Sequence, residues 1–313
     1  MRVGAYDERF LTRNGLTAQQ LAGELLAQPP GTRLPRIRDY AETLGVGNGT
    51  VQAAFTLLES TGALEVEARG HLGRYLRRID RAQLWRLAGL GTLLAAMPLP
   101  YSRRYEGLAT GLRAAFEQAG IPFALTFMRG AQTRVAALCD GKCDLVVTSR
   151  LAYDELTREH PVTLLSDLGP DTYVGAHGIL LRQGRRLDDP DLAVAVDATS
   201  ADQEQLTRLV FADRAVRYVE TSYMQLRELF RRGEVDATVW NLDEIEHHLD
   251  SDVRVLAFDQ RLIGQLDERN RSAALVVHSG AGSGAARIRD QLSARTITTA
   301  QQEVLGGERI PSY

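Results

Sequence analysis

Leu34–Leu76 reads LPRIRDYAETLGVGNGTVQAAFTLLESTGALEVEARGHLGRYL. Ile37, Tyr40, Ala41 and Leu44 recur at i, i+3, i+4 and i+7, which gives a first short helix one apolar face. Val51, Ala54, Phe55 and Leu58 repeat that spacing on a second helix. Leu44-Gly45-Val46-Gly47 between them is short enough to force a sharp angle. An earlier helix, roughly Thr17 to Ala27, supplies Leu21, Leu25 and Leu26 as the third wall of a small core. After Gly62 the chain alternates through Leu64, Val66 and Ala68, turns at Arg69-Gly70-His71, and alternates again through Leu72, Arg74 and Leu76. Two strands about a glycine turn predict a hairpin, and the whole predicts a winged helix-turn-helix.

That layout makes double-stranded DNA the first partner to test. At about 100° per residue, the face of the second helix opposite its apolar stripe carries Gly49, Gln52, Ala53 and Thr56. The small residues allow the backbone to approach the floor of the major groove. Gln52 is the candidate base reader, because Gln pairs bidentately with adenine. Asn48 and Thr50 lie near the helix N-terminus, where free N–H groups favour a phosphate. Arg36 and Arg38 flank the first helix, while Arg69, His71 and Arg74 sit on the wing, as phosphate or minor-groove candidates. Charge gives little support: residues 1–80 carry ten arginines against nine carboxylates, net +1. Three-helix cores with a hairpin also serve as protein-interaction modules, so that reading stays open.

The same stretch closely resembles the winged-helix domain of GntR-type transcriptional regulators. The resemblance rests on Leu34-Pro35, Gly45-Val46, Thr50-Val51, Leu58-Glu59 with Gly62-Ala63-Leu64, and Arg69-Gly70-His71-Leu72-Gly73. The chain departs from that pattern at Arg36-Ile37-Arg38, where the family has Ser-Glu-Arg, and at Gly47-Asn48, where it has Ser then Arg. Two habitual DNA contacts are therefore changed. Gly45-Val46-Gly47-Asn48-Gly49-Thr50-Val51, with Pro100-Tyr101-Ser102-Arg103-Arg104-Tyr105-Glu106-Gly107 further on, looks like the YhfZ-type branch. The resemblance implies a second domain similar to type 2 periplasmic solute-binding proteins over most of the remaining chain.

The residues agree with that implication. From Leu93 strands and helices alternate: strand Leu93–Met97, helix Arg103–Ala119, strand Phe123–Phe127, helix Ala131–Cys139, strand Asp144–Thr148. A second set places strands near Val174–Leu181, Ala193–Val196, Ala215–Val219 and Val235–Val239, with helices Gln203–Phe211 and Met224–Arg231. Ala273–Val277 is a candidate for a strand returning to the first lobe. Asp140-Gly141-Lys142-Cys143-Asp144 and Arg232-Gly233-Glu234-Val235-Asp236 echo one another, each Gly ending a helix before a strand. The expected fold is multidomain, α+β and α/β: a winged helix-turn-helix at 1–76, a linker helix at 77–91 carrying Leu84, Trp85, Leu87 and Ala88, and a two-lobed periplasmic-binding-protein-like domain at 92–313.

Ligands in such sheets bind beyond the carboxyl ends of strands. That rule selects Ser102, Arg103, Arg104 and Tyr105 in one loop, then Arg129, then Thr148, Ser149 and Arg150. The other lobe contributes Asp197, Ser200, Trp240 and Asn241. Hydroxyls, helix N-termini and arginines favour an anionic small-molecule effector, and Trp240 could pack on an apolar or sugar-like part of it.

The length of 313 residues fits two domains, and 44% hydrophobic with 25% charged residues is an ordinary globular composition. The net charge of −3 selects no partner. No apolar run nears the ~20 residues of a membrane span, and Met1–Arg13 lacks the apolar core of an export signal. The expectation is a cytoplasmic protein without a membrane partner. Cys139 and Cys143 have no further ligands nearby and read as packing residues, not a metal site. In Asp243-Glu244-Ile245-Glu246-His247-His248 each His follows a carboxylate by four, but a recognisable zinc-protease spacing is missing. Glu106 and Asp202 are single carboxylates, and no nucleophile triad or phosphate loop stands out. No catalytic residue, metal or cofactor is therefore assigned. The expected function is a homodimeric transcription factor whose operator binding responds to the effector. The alternative is an intracellular metabolite-converting enzyme with a winged helix that does not read DNA. A solute carrier for a transporter is disfavoured by the missing export signal.

Overall fold

Thr12 decides where the first helix begins. Its hydroxyl accepts the Gly15 N–H at 3.2 Å, so α1 runs Arg13–Leu25 and starts before the expected Thr17. The computed structural model describes residues 12–247, 253–258, 268–281, 288 and 292–313. Most of Met1–Arg13, where an export signal was sought, lies outside the described residues. Helix α2 is Ile37–Leu44 and α3 is Asn48–Ser60. Gly45 ends α2 in the left-handed conformation at φ +63°, which is what the sharp turn into α3 requires. Leu21, Leu25, Val51, Ala54, Phe55 and Leu58 fill the space between the helices.

The wing is the antiparallel pair β1 (Leu64–Ala68) and β2 (Arg74–Ile79), with a 3₁₀ turn at Gly70–Leu72. Leu72, expected in the second strand, belongs to that turn and is exposed. Residues 31–34 extend the sheet: Gly31 N–H bonds Leu76 O at 2.7 Å and Leu34 N–H bonds Arg74 O at 2.8 Å. Helix α4 (Arg81–Leu87) is capped by Asp80 and buries Leu84 and Trp85, whose indole N–H donates to Gly91 O at 2.8 Å. These elements lie in one of two compact units, formed by the described residues within 1–94, 113–124 and 281–293. The other is formed by those within 95–112, 125–280 and 294–313.

Two five-stranded sheets follow. The first comprises β3 (Leu93–Met97), β4 (Phe123–Phe127), β5 (Leu145–Ser149), β6 (Val162–Asp167) and β12 (Ala273–His278), in the order β4-β3-β5-β12-β6. The second comprises β7 (His177–Arg182), β8 (Leu192–Val196), β9 (Val216–Glu220), β10 (Ala237–Asn241) and β11 (Val253–Leu256), in the order β11-β7-β10-β8-β9. β12 does return to the first sheet, antiparallel to β5 and β6, and β7 runs antiparallel to β10 and β11. The sheets are thus mixed. Helices α5 (Arg103–Ala119), α6 (Ala131–Cys139), α7 (Arg150–Leu156) and α10 (Ala294–Leu305) belong with the first sheet, α8 (Ala201–Val210) and α9 (Tyr223–Arg232) with the second. β5 and β8 are buried along their whole length, as central strands covered on both faces must be. Leu181, Val194 and Phe211 pack on one face of the second sheet, and Leu180, Ala195 and Phe230 on the other.

The chain passes between the sheets twice, and the passages are bonded to each other. Tyr173 N–H donates to Arg271 O at 2.8 Å, and Ala273 N–H to the Thr172 hydroxyl at 2.8 Å. α10 buries Ile297, Ala300, Gln301 and Val304. Its approach to α5 depends on two glycines one turn apart. A Cβ at Gly107 would stand 3.0 Å from Gln301 O, and one at Gly111 would overlap Ile297 O. Among the described residues no helix is long and apolar enough to cross a membrane.

Gly→Ala inside a helix ordinarily stabilises by roughly 0.5–1 kcal/mol. At Gly111 the sign should reverse, because backbone meets the new methyl group. Gly111→Ala is expected to destabilise by about 1–3 kcal/mol in urea unfolding. A stability equal to or above that of the parent would show that α10 does not close on α5 there.

Candidate functional site

The outer face of α3 is bare. Asn48, Gly49, Gln52 and Thr56 are exposed while Val51, Ala54, Phe55 and Leu58 are buried beneath them. Thr56 bonds back to Gln52 O at 3.1 Å, which leaves the Asn48 and Gln52 amides as the face's extended polar groups. Thr50 is half-buried. Arg36 and Arg38 are exposed at the start of α2, where Asp39 accepts the Arg36 N–H at 2.9 Å and pairs with Arg38 at 3.3 Å. On the wing, Arg69 pairs with Glu67 at 3.0 Å and lies over the Tyr75 ring, and His71 is exposed at the tip. Arg74 turns inward. Its guanidinium sits 4.0 Å above the Phe55 ring centroid, half-buried, and burial lowers its pKa.

A cleft of about 150 Å³ opens between the two sheets. Six residues selected from the sequence line it: Tyr105, Arg129, Asp197, Ser200, Trp240 and Asn241. The others have different surroundings. Ser102 is buried and accepts the Tyr105 N–H at 3.3 Å near the start of α5. Arg103 pairs with Glu106 and donates to Val304 O. Arg104 binds Asp243 at 2.9 Å, joining α5 to the end of β10, and also reaches Asp171 O. Arg150 is held by Asp154 and Asp167, both at 3.0 Å. Thr148 and Ser149 are fully buried at the end of β5.

Ser149 has a role that its loop position does not reveal. It caps α7 through the Ala152 N–H and donates to Asp202 Oδ1 at 2.7 Å, linking the first sheet to α8 of the second. Asp202 lines the cleft, and burial pushes its carboxyl up to about 7. Burial holds the His177 imidazole at the other side near 4, so it is neutral at physiological pH.

Arg134 also lines the cleft although it is 2% exposed. Its Nε donates to Val147 O at 2.9 Å, Nη1 to Met128 O at 2.7 Å and Nη2 to the Tyr173 hydroxyl at 3.1 Å. It follows Ala131 and precedes Val135 and Leu138 on the buried face of α6, and that i, i+3, i+4, i+7 placement was the available signal. An arginine in an apolar stripe either has buried partners or serves a site. Asp243 of the Asp243–His248 stretch is committed to Arg104 and to the Gly175 N–H, and His248 lies outside the described residues. Cys139 ends α6 and Cys143 is buried just before β5, where burial pushes its thiol up to about 11.

A carboxyl raised in the folded state binds more protons folded than unfolded between its two pKa values. Its contribution to stability is therefore complete below the unfolded value, near 4, and is lost as pH rises to about 7. Asp202→Asn keeps an acceptor for Ser149 and cannot ionise. Urea unfolding at pH 5 and pH 8 should show the parent losing on the order of 2–4 kcal/mol relative to the variant at the higher pH. Parallel behaviour would mean that Asp202 ionises freely.

The chain is similar in sequence to known proteins over both parts. The profile of the YhfZ C-terminal domain matches residues 80–313, and that of a helix-turn-helix domain matches residues 30–76. The uncharacterized protein YhfZ of Escherichia coli (strain K12) is 34% identical over 307 residues, 97% of this chain and 99% of that one. HTH-type transcriptional regulator Rv1152 of Mycobacterium tuberculosis is 52% identical over 54 residues, 17% of this chain and 43% of that one. The crystal structure of YhfZ from Shigella flexneri, 35% identical, superposes with a TM-score of 0.57 over 71% of this chain and 93% of that one. The periplasmic aliphatic sulphonate binding protein SsuA from Escherichia coli shares the fold at 17% identity, with a TM-score of 0.51 over 69% of this chain and 75% of that one.

Proposed function

The chain belongs to the YhfZ family, and on that premise we propose that it is a sequence-specific DNA-binding transcriptional regulator, not an enzyme, governed by a small molecule in the cleft. The observation that carries the reading is the bare outer face of α3, inside a helix-turn-helix that is similar to that of a transcriptional regulator. Residues 1–76 read DNA, 77–91 connect, and 92–313 bind the effector. Gln52 reads a base edge. Asn48, Thr50, Arg36, Arg38, Arg69 and His71 position the protein on the backbone. One such head covers few base pairs, so the operator is read by a homodimer. The effector is anionic: Arg129 lines the cleft, and α6 and α8 begin there at Ala131 and Ala201. Its binding changes operator affinity, and by linkage the operator changes effector affinity by the same factor.

Selection of duplexes from a random pool by the full-length protein should enrich a symmetric motif. Sequence-independent binding alone, with and without added metabolites, would overturn the reading. On the selected operator, Gln52→Ala should lose about 1–3 kcal/mol of discrimination at one position. An unchanged preferred sequence would mean that α3 lies differently in the groove.

Gly49 separates folding from reading. A Cβ there meets nothing within 4 Å in the protein, so Gly49→Ala should preserve or slightly raise stability. On DNA the added methyl stands between the helix and the groove floor, and operator affinity should fall. Arg36→Ala should weaken binding to all sequences and make the salt dependence shallower by about one ion. Arg74→Ala should instead lower stability, because that side chain covers Phe55. Gel-shift titrations against salt, paired with urea melts, distinguish these outcomes.

A further inference from the structure

Arg134 is a buried cation that no carboxylate among the described residues contacts directly, although it acts through space on the Asp202 carboxyl of the same cleft. Its three hydrogen-bond acceptors are two backbone carbonyls and a phenol, all neutral. No carboxylate forms an ion pair with it among the described residues, although it is 2% exposed. A guanidinium cannot shed its proton to escape the cost of burial, and two of its five N–H groups remain beyond those three bonds. It lines the cleft, so an anion entering there can pair with it directly. A planar, bidentate fork suits a carboxylate.

The same cleft holds carboxyl groups. Asp202 engages Ser149 through Oδ1, and its second oxygen has no partner among the described residues. Asp197 Oδ1 accepts from the Thr199 N–H and hydroxyl, and Glu244 accepts from Asn241 at 3.3 Å. Such a lining disfavours a ligand that is negative all over and suits one that also brings a hydrogen-bond donor. The volume of about 150 Å³ is enough for a group of about benzene size, so a small acid fits there.

We propose that the effector is a compact carboxylic acid bearing an amino or hydroxyl group, its carboxylate paired with Arg134 and its donor received by Asp202. This rests on the effector reading above and names the ligand class of that site. Arg134 fixes the acid, and Asp202 selects for the donor.

The test uses the full-length protein and its selected operator. The probes are three- to six-carbon 2-amino, 2-hydroxy and unsubstituted carboxylic acids, each beside its primary amide, with sets of simple amines, sugars and inorganic phosphate. Binding is read as a saturable rise in Tm and by titration calorimetry. A donor-bearing acid should bind at least about tenfold more tightly than its amide and than the unsubstituted acid. The amino and hydroxy arms tell which donor is used. Arg134→Lys should weaken that acid at least about tenfold, and Asp202→Asn should reduce the advantage of the donor-bearing acid over the plain one. Should Arg134→Lys fail to fold, the comparison of acid with amide on the parent chain decides alone. Amides binding as well as acids, or binding only by phosphate, amines or sugars, would overturn the ligand class while the effector reading stands. If no probe of any set binds or alters operator affinity, the effector reading fails with it.

Discussion

The C-terminal part of this chain depends on two passages between its sheets that are bonded to each other. Thr172 and Tyr173 on the way out meet Arg271 and Ala273 on the way back through main-chain and hydroxyl hydrogen bonds. Two backbones side by side limit how the sheets can move, since neither passage can shift without disturbing the other. Gln301 extends the constraint, because its amide donates both to Thr172 O and to Arg104 O, tying α10 and α5 to the same point. Arg104 in turn holds Asp243 beyond β10. Hinge and cleft therefore share a residue: Tyr173 bonds Arg271 across the two passages and also lines the cleft.

The part of the chain proposed to read DNA is economical in charge. Residues 1–80 are nearly neutral, and several of their arginines already have partners: Arg38 with Asp39, Arg69 with Glu67, Arg77 with Glu65. Exposed pairs of this kind are weak and exchange readily for phosphate, so they do not forbid DNA binding. They do lower its nonspecific component. A reading head with few free cations must gain more of its affinity from close fit, and glycines at 45, 47 and 49 leave the entry of α3 unobstructed for that purpose.

The sequence was most legible where punctuation was strongest. Strand β3 is closed by Pro98, and Gly120, Gly130 and Gly141 mark the ends of α5, β4 and α6, so the bounds of all four elements agree with the apolar spacing. The winged helix was legible because α2 and α3 each present one clean stripe. Helix α10 was not. Thr296, Ile297, Thr298 and Thr299 argue locally against a helix, and its buried face of Ile297, Ala300, Gln301 and Val304 includes an amide that breaks the apolar stripe. β6, β11 and α7 carry short or weakly alternating patterns that gain their structure from neighbours distant in sequence. In the cleft, the loop rule found residues on strand ends and missed those on helix faces. Arg134, Asp202 and Gln203 project from α6 and α8, where a charged or amide side chain is ordinarily read as solvated surface.

Arg134 also bears on how a ligand could drive closure. A ligand shifts a conformational equilibrium only by the difference in its affinity for the two states. Hydrogen bonds to partly exposed groups such as Arg129 or Asn241 would differ less between an open and a closed cleft. A buried guanidinium is different, because its interaction with an anion strengthens as water is excluded and the effective dielectric falls. The bond between Ser149 and Asp202 lies in the same region and joins the end of β5 to α8. On the proposed effector reading, a ligand that reaches the buried end of the cleft would therefore distinguish an open from a closed state more strongly than one held at its mouth.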